Sequence, residues 1–311
     1  MSRDALPVIQ GHPDDDRFGR DRAALRLPEF LRKKIGKGEA VRAVKHLLRD
    51  QSVVTVCEEA RCPNLAECFK HRTATFMIMG ADCTRACGFC AVGTARPAAL
   101  DPSEPERVAE SAFRLGLEHV VITSVNRDDL DDGGAQHFRD TVDAVARRLP
   151  DSAIEVLTPD FCGDLDAVGT VASGPLAVFN HNVETVEALY PRVRPRANYQ
   201  QSLDVLHYVE KTYPSVVVKS GFMVGLGETK DAVFKLLDDM RAHGVHIVTI
   251  GQYLRPSLKH VPVAEYLKPE AYDVYKDYGE RLGFRHVFAG PFVRSSYNAA
   301  EALRVSTASA S

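Results

Sequence analysis

Three features of the chain predict an α/β fold built on a parallel sheet. Short β-branched apolar runs recur between residues 75 and 250, amphipathic segments of helical length separate them, and polar or glycine-rich stretches follow the runs. The runs are residues 75–79, 119–123, 154–157, 177–180, 216–223 and 246–250; the helical segments are 104–115, 135–149, 164–172, 202–213 and 229–243. Strands alternating with helices imply right-handed crossovers. Periodicity leaves a partial (β/α)6 barrel and a doubly wound sheet both open. With 311 residues, 45% of them hydrophobic, the chain can bury a large core, which excludes disorder throughout.

Residues 1–24 are polar and charged without apolar periodicity and are predicted to be disordered, as is the Ala/Ser tail from Ser306. Between residues 25 and 50, Leu27, Phe30, Leu31 and Ile35, then Val41, Val44, Leu47 and Leu48, recur at helical spacing on either side of Gly36 and Gly38, which predicts two short helices. No apolar stretch has membrane-spanning length and no signal-type segment opens the chain, so a soluble cytoplasmic protein is expected. A reducing compartment favours thiols over disulfides. The net charge of −3 gives no reason to expect nucleic-acid binding. Residues 17–49, however, hold eleven Lys or Arg against three Asp or Glu. That segment is either a solvated helix face or a surface that steers an acidic partner.

Six of the seven cysteines form two triads: Cys57, Cys62 and Cys68 (C-x4-C-x5-C), then Cys83, Cys87 and Cys90 (C-x3-C-x2-C). Structural zinc takes four protein ligands and disulfides take cysteines in pairs, so neither suits three plus three. Two iron–sulfur clusters, each with one iron not held by cysteine, suit it well. The second triad follows the first strand, where the loops of such folds build active sites. Polar stretches at 123–129, 158–161, 180–184, 225–229 and 251–257 follow the other strands and are either parts of one mouth or ordinary caps and turns. His181, His260 and His286 lack metal-ligand spacing and are expected to be structural. Cys162 is expected to be a half-buried, inert loop residue.

The C-x3-C-x2-C spacing with Phe89 before its last cysteine resembles the radical S-adenosylmethionine superfamily. That resemblance implies a four-iron cluster on Cys83, Cys87 and Cys90. The cofactor's methionyl amine and carboxylate chelate the fourth iron, and reductive cleavage yields a 5′-deoxyadenosyl radical. Asn182 and Glu184 are candidates for the ribose or methionyl group, and Arg194 or Arg255 for a carboxylate. Gly225 and Gly227 would allow close backbone approach to the cofactor, or simply form a tight turn.

VCEEARCPNLAEC, DDLDDGGAQHF, IEVLTPDF, FNHNVETVEALY, KSGFMVGLGET, TIGQYLRPS and AGPFVRSSY resemble the lipoyl synthase family, from about Leu27 to Ala299. Two departures, Phe30 in place of a frequent tryptophan and His246 in place of a frequent aspartate, touch no expected ligand. The resemblance implies a radical-S-adenosylmethionine-type partial (β/α)6 barrel over 73–290. It also implies an N-terminal extension over 25–72 and a C-terminal extension over 291–311. A second, auxiliary [4Fe–4S] cluster on Cys57, Cys62 and Cys68 would take Ser296 as its fourth ligand, with Ser295 the second choice. The implied reaction inserts sulfur at C6 and C8 of a protein-bound octanoyl-lysine, with the auxiliary cluster as donor. The implied partners are octanoylated lipoyl carrier domains (E2 subunits of 2-oxoacid dehydrogenases, the glycine cleavage H protein), an electron donor such as ferredoxin or flavodoxin, and an iron–sulfur cluster carrier. The alternatives are another radical sulfur-inserting enzyme and a non-catalytic iron–sulfur carrier.

Overall fold

The computed structural model describes residues 27–32, 39–59, 62, 64–70, 74–296 and 299. Both segments predicted to be disordered lie outside the described residues, as do Ile35, Gly36 and Tyr297. A 3-10 turn at Glu29–Leu31 and helix α1 (Glu39–Asp50) stand where two short helices were expected. Val44 and Leu48, one turn apart on α1, are buried and fix its inner face. Strand β1 (Val54–Thr55) and the short helices α2 (Val56–Glu59) and α3 (Leu65–Lys70) follow.

The main sheet then begins with β2 (Thr75–Ile78), and the small pair β3 (Asp82–Cys83) and β4 (Gly93–Thr94) lies in the loop after it. Helices and strands alternate from there: α4 (Glu104–Leu115), β5 (His119–Ser124), α5 (Ala135–Arg148), β6 (Ala153–Leu157), α6 (Leu165–Ala172) and β7 (Val178–Asn180). The chain continues through α7 (Tyr190–Val193), α8 (Tyr199–Thr212), β8 (Val217–Val224), α9 (Lys230–Ala242), β9 (Ile247–Gln252), α10 (Pro269–Leu282) and β10 (His286–Gly290). Side-chain caps start several helices: Asp164 accepts from the N–H groups of Asp166 and Ala167, Asn198 from Gln201, and Thr229 from Ala232.

The sheet runs in the order β1-β2-β5-β6-β7-β8-β9-β10, and every pair is parallel except β1 with β2. It is an open, partial barrel with β1 and β10 as its edges. All six predicted strands are present. The six β/α units run from β2 with α4 to β9 with α10, and β10 adds a further parallel strand at the edge. Helix α10 and strand β10 escape periodicity for a physical reason. Helix α10 packs through Tyr272 and Tyr275 rather than through aliphatic residues, and β10 is a half-exposed edge opening on a histidine.

The two sheet faces are distinct. Phe76, Ile122, Val156, Phe179, Val218 and Val248 pack on the helices in the main core. Val178, Val217 and Ile247 form a separate cluster with Phe288 on the concave face. Above that small apolar floor the concave face is charged. Glu155 meets Lys219 at 2.9 Å, the His119 ring at 3.1 Å and the Asn180 amide at 3.2 Å, all buried. Among the described residues, no helix is long and apolar enough to cross a membrane.

Candidate active site

The Cys83–Cys90 loop leaves the C-terminal end of β2 and is held in place by neighbouring loops. Thr84 donates from its N–H and its hydroxyl to the Asn126 carbonyl, at 3.1 and 3.0 Å. The Arg85 guanidinium, only 5% exposed, forks onto Asp128 at 2.7 and 2.9 Å and onto Asp160 at 2.8 Å. This bidentate pairing fixes the loop against the ends of β5 and β6. Gly88 donates to the Val193 carbonyl at 2.9 Å and accepts from the Val261 N–H at 2.8 Å. A Cβ at Gly88 would lie 2.6 Å from Val261 Cγ2, so only glycine fits between these segments. His260 is structural: its ring bonds the Cys90 carbonyl at 2.8 Å and the Ser257 hydroxyl at 2.9 Å. Phe89 packs with Val193, Leu226, Tyr253 and Val261 as an apolar wall beside the triad.

The donor chemistry of this loop fits a thiolate-held cluster. Cys83 Sγ faces the N–H groups of Asn126 at 3.3 Å and Arg85 at 3.4 Å, with the Asn126 amide at 3.8 Å. Burial pushes the Cys87 thiol up to about 11, with the nearby Arg194 partly opposing it, and the Cys90 thiol up to about 12. Cys83, Cys87 and Cys90 would hold a cluster as thiolates, the form that a bound metal centre would favour over the thiols. Among the described residues no three Cys, His, Asp or Glu side chains converge on one metal-ion position. A single ion needs all its donors around one point, whereas a cube-shaped cluster separates its thiolates by its own width.

Several predicted mouth residues gather beside this loop. The Asn182 amide donates to Glu184 Oε1 at 3.1 Å. Glu184 adopts φ 72°, a strained left-handed conformation for a side-chain-bearing residue, and is held there by bonds from its N–H to Gly221 and from the Met223 N–H to its carbonyl. Burial raises its carboxyl above the ordinary range. Arg194 donates to the carbonyls of Asn182 and Val183 at 3.1 and 3.3 Å, while its buried Nε has no protein partner. His181 bonds the Thr158 carbonyl through Nδ1 at 2.9 Å. Arg255 instead donates to the carbonyls of His260 and Leu258 at 2.8 and 2.6 Å, which explains its presence without a ligand. The turn explains Gly225: its φ is 95°, and a Cβ would meet Gln252 Nε2 at 2.2 Å and the Glu265 carbonyl at 2.4 Å. Gly227, φ 111°, faces only Ala264 at 3.7 Å.

Cys162 differs from expectation. It is exposed rather than half-buried, with φ 54°, because it sits in the surface loop after β6, and its sulfur lies 3.2 Å from Arg85 Nη2 and 3.4 Å from Asp128.

The first triad lies at a separate place in the fold. Cys57, Cys62, Cys68 and Ser296 line one small cavity together with Asn64, Ala74, Thr75 and Arg294. Three cysteines and one serine therefore share one cavity. Burial pushes the Cys57 thiol up to about 11. Local bonds shape the loop: Cys62 N–H to the Cys57 carbonyl at 3.1 Å and Cys68 N–H to the Asn64 carbonyl at 2.9 Å. A long-range bond closes it, from the Asn64 amide to the Phe292 carbonyl at 2.7 Å. The segment after β10 thus reaches the triad beside β1 and β2 and spans the gap between the two sheet edges.

Asn64, Thr75 and Arg294 were not legible as site residues, and neither was the role of Arg85. The only sequence signals are the placement of Arg85 between Cys83 and Cys87 and of Arg294 beside the serines. Gly251 gives the crossing segment its room, since a Cβ there would stand 2.2 Å from the Val293 carbonyl, whereas one at Gly290 would meet nothing closer than 3.5 Å. Gly251→Ala is therefore expected to cost about 1–3 kcal/mol through overpacking. Gly290→Ala should be close to neutral, and the denaturation midpoints of the two variants check the contrast.

Comparison with known proteins places the chain in a family. The family model of the radical S-adenosylmethionine superfamily matches residues 77–240, and that of the N-terminal domain of lipoyl synthase matches 12–62. Lipoyl synthase of Rubrobacter xylanophilus is 51% identical over 300 residues, covering 96% of this chain and 94% of its own. The Xylella fastidiosa enzyme is 52% identical over 294 residues, covering 92% and 79%. That of Alkaliphilus metalliredigens is 50% identical over 278 residues, covering 89% and 96%. Two solved structures share the fold. Methylornithine synthase has a TM-score of 0.52 at 14% identity over 87% of this chain and 73% of its own. SuiB of Streptococcus suis bound to S-adenosylmethionine has a TM-score of 0.55 at 13% identity over 73% and 53%. The chain belongs to the lipoyl synthase family of the radical S-adenosylmethionine superfamily.

Proposed function

We propose that the chain inserts two sulfur atoms, at C6 and C8, into an octanoyl group carried on a lysine of a carrier protein. The observation that supports this most is the cavity shared by Cys57, Cys62, Cys68 and Ser296, set apart from the Cys83–Cys90 loop. The cofactors of this family are S-adenosylmethionine and two [4Fe–4S] clusters, which supply an adenosyl radical at one centre and sulfide at the other. We assign Cys83, Cys87 and Cys90 to the first cluster, and Cys57, Cys62, Cys68 and Ser296 to the auxiliary one. Asn182, Glu184 and Arg194 are our candidates for the methionyl and ribose groups. Phe89 would shield the radical side from water, and Gly225 with Gly227 would keep the turn close to the nucleoside.

The chain's own task is positional. Arg85 with Asp128 and Asp160 fixes the radical-forming loop, and the crossing segment brings the auxiliary site over the open side of the barrel. A carbon chain entering between the two centres would be oriented toward both with little freedom. We take residues 25–72 and 291–311 as the extensions that carry the auxiliary site, and 73–290 as the barrel. The partners we propose are lipoyl carrier domains of 2-oxoacid dehydrogenase E2 subunits or the glycine cleavage H protein, ferredoxin or flavodoxin as electron donor, and a cluster carrier for repair. Seven free thiols suit a cytoplasmic location.

The reading is tested anaerobically with reductant, S-adenosylmethionine and an octanoyl-lysine peptide, following 5′-deoxyadenosine and peptide mass together. A gain of two sulfur atoms, as the dithiol under the reducing conditions of the assay, supports it, and nucleoside without sulfur rejects it. A serine oxygen holds iron less firmly than thiolate, which suits a corner that must open. Ser296→Cys is accordingly expected to keep full iron content and to insert sulfur about ten-fold more slowly, the lower end of the range for altered metal surroundings. Wild-type turnover would contradict that role.

A further inference from the structure

The two adjacent serines of the crossing segment face different ways. Ser296 lines the three-cysteine cavity. The Ser295 hydroxyl accepts from Asn182 Nδ2 at 2.7 Å and lies 3.0 Å from Asn182 Oδ1, to which it donates. Asn182 is 113 residues away in sequence and belongs to the barrel mouth, where its amide also meets Glu184. It stands on a firm base: its carbonyl accepts from buried Arg194 at 3.1 Å, and Glu184 is bonded into β8. The crossing segment is tied elsewhere at Phe292, through Asn64, and at Val293, whose N–H bonds the Gly290 carbonyl at 3.1 Å. Ser295 is the tie next to Ser296 itself.

We propose that Ser295 is a positioning residue: by bonding Asn182 it latches the crossing segment to the barrel mouth and so holds Ser296 over the three-cysteine cavity. The inference rests on the reading of that cavity as the auxiliary cluster site. A serine ligand that binds its iron weakly stays in place only if its backbone is held by something else, and a side-chain bond to the mouth supplies that hold. The same bond links closure of the sulfur-donating site to the mouth residues. Anything that draws the Asn182 amide away from Ser295 loosens the lid over the auxiliary site without touching a cysteine.

The test uses the full-length protein carrying both clusters and a ferrous chelator. Wild type is expected to release iron in a fast phase that is missing in Cys57→Ala, which identifies the auxiliary site as its source. In Ser295→Ala that phase should quicken roughly five-fold, the ratio that one net hydrogen bond represents. Ser295→Thr keeps the hydroxyl and should restore the wild-type rate, which a merely steric role for serine would not require. An unchanged rate in Ser295→Ala, or a Ser295→Thr variant as fast as alanine, overturns the latch while leaving the site assignment intact. A fast phase that persists in Cys57→Ala removes the site assignment, and the latch with it.

Discussion

Replacing Cys83, Cys87 or Cys90 with alanine is expected to reduce 5′-deoxyadenosine formation to background. Replacing Cys57, Cys62 or Cys68 should leave nucleoside formation in place and abolish sulfur insertion. The first loss should exceed about a hundred-fold, beyond the 10- to 100-fold cost typical of removing an outer-shell partner of a metal site. The separation follows from geometry: one triad sits in a loop pinned by Arg85 to Asp128 and Asp160, and the other shares its cavity with Ser296 and Arg294. Quantifying nucleoside and product in one reaction mixture checks both halves. A first-triad variant that still produced lipoyl product would contradict the assignment of the sulfur source.

The second large effect is on stability. Glu155 lies on the concave face with its side chain 1% exposed, paired with a Lys219 side chain that is also 1% exposed. Glu155→Gln would leave the Lys219 ammonium buried without a counter-charge and should cost about 3–5 kcal/mol. Removing both charges together, as Glu155→Leu with Lys219→Met, should cost far less, because no charge is then stranded. The pair also sets a pH dependence. Burial alone would raise the Glu155 carboxyl, but Lys219 and His119 overcome it and hold it near about 2 against an ordinary 4.5. A carboxyl depressed by folding stabilises fully above its unfolded value. That contribution is therefore complete above pH 4.5 and is lost as pH falls toward about 2. Denaturant midpoints measured through that interval should fall more steeply in wild type than in the uncharged double variant.

Local signals in the sequence were read well, and tertiary closure was not. The two cysteine triads are legible because the members of each lie close together in sequence. The strands on each side of the core were legible because Val120, Ile122, Val156, Val218 and Val248 are aliphatic and buried. Helix α10 and the edge strand β10 are less legible because tyrosines carry the buried face of one and a histidine opens the other. That Ser296 lines the cavity of the first triad while Ser295 bonds Asn182 is not legible in the sequence. No local pattern reports it, since the bond joining the two regions, Asn64 to Phe292, spans 228 residues. Arg85 was hidden for another reason. Inside a ligand motif it reads as a spacer, and only the approach of Asp128 and Asp160 from two other loops gives it work. For Gly225 the sequence left a ligand and a turn equally open, and the crowding of Gln252 and Glu265 around it accounts for the turn.

The most direct test of the account is to rebuild the auxiliary cluster with isotopically heavy sulfide, add S-adenosylmethionine, reductant and an octanoyl-lysine peptide without oxygen, and weigh the product. The arrangement of Cys57, Cys62, Cys68 and Ser296 around one cavity predicts a peptide carrying two heavy sulfur atoms, with none in a Cys57→Ala control. A product containing only light sulfur, or the same product from the control, would contradict it.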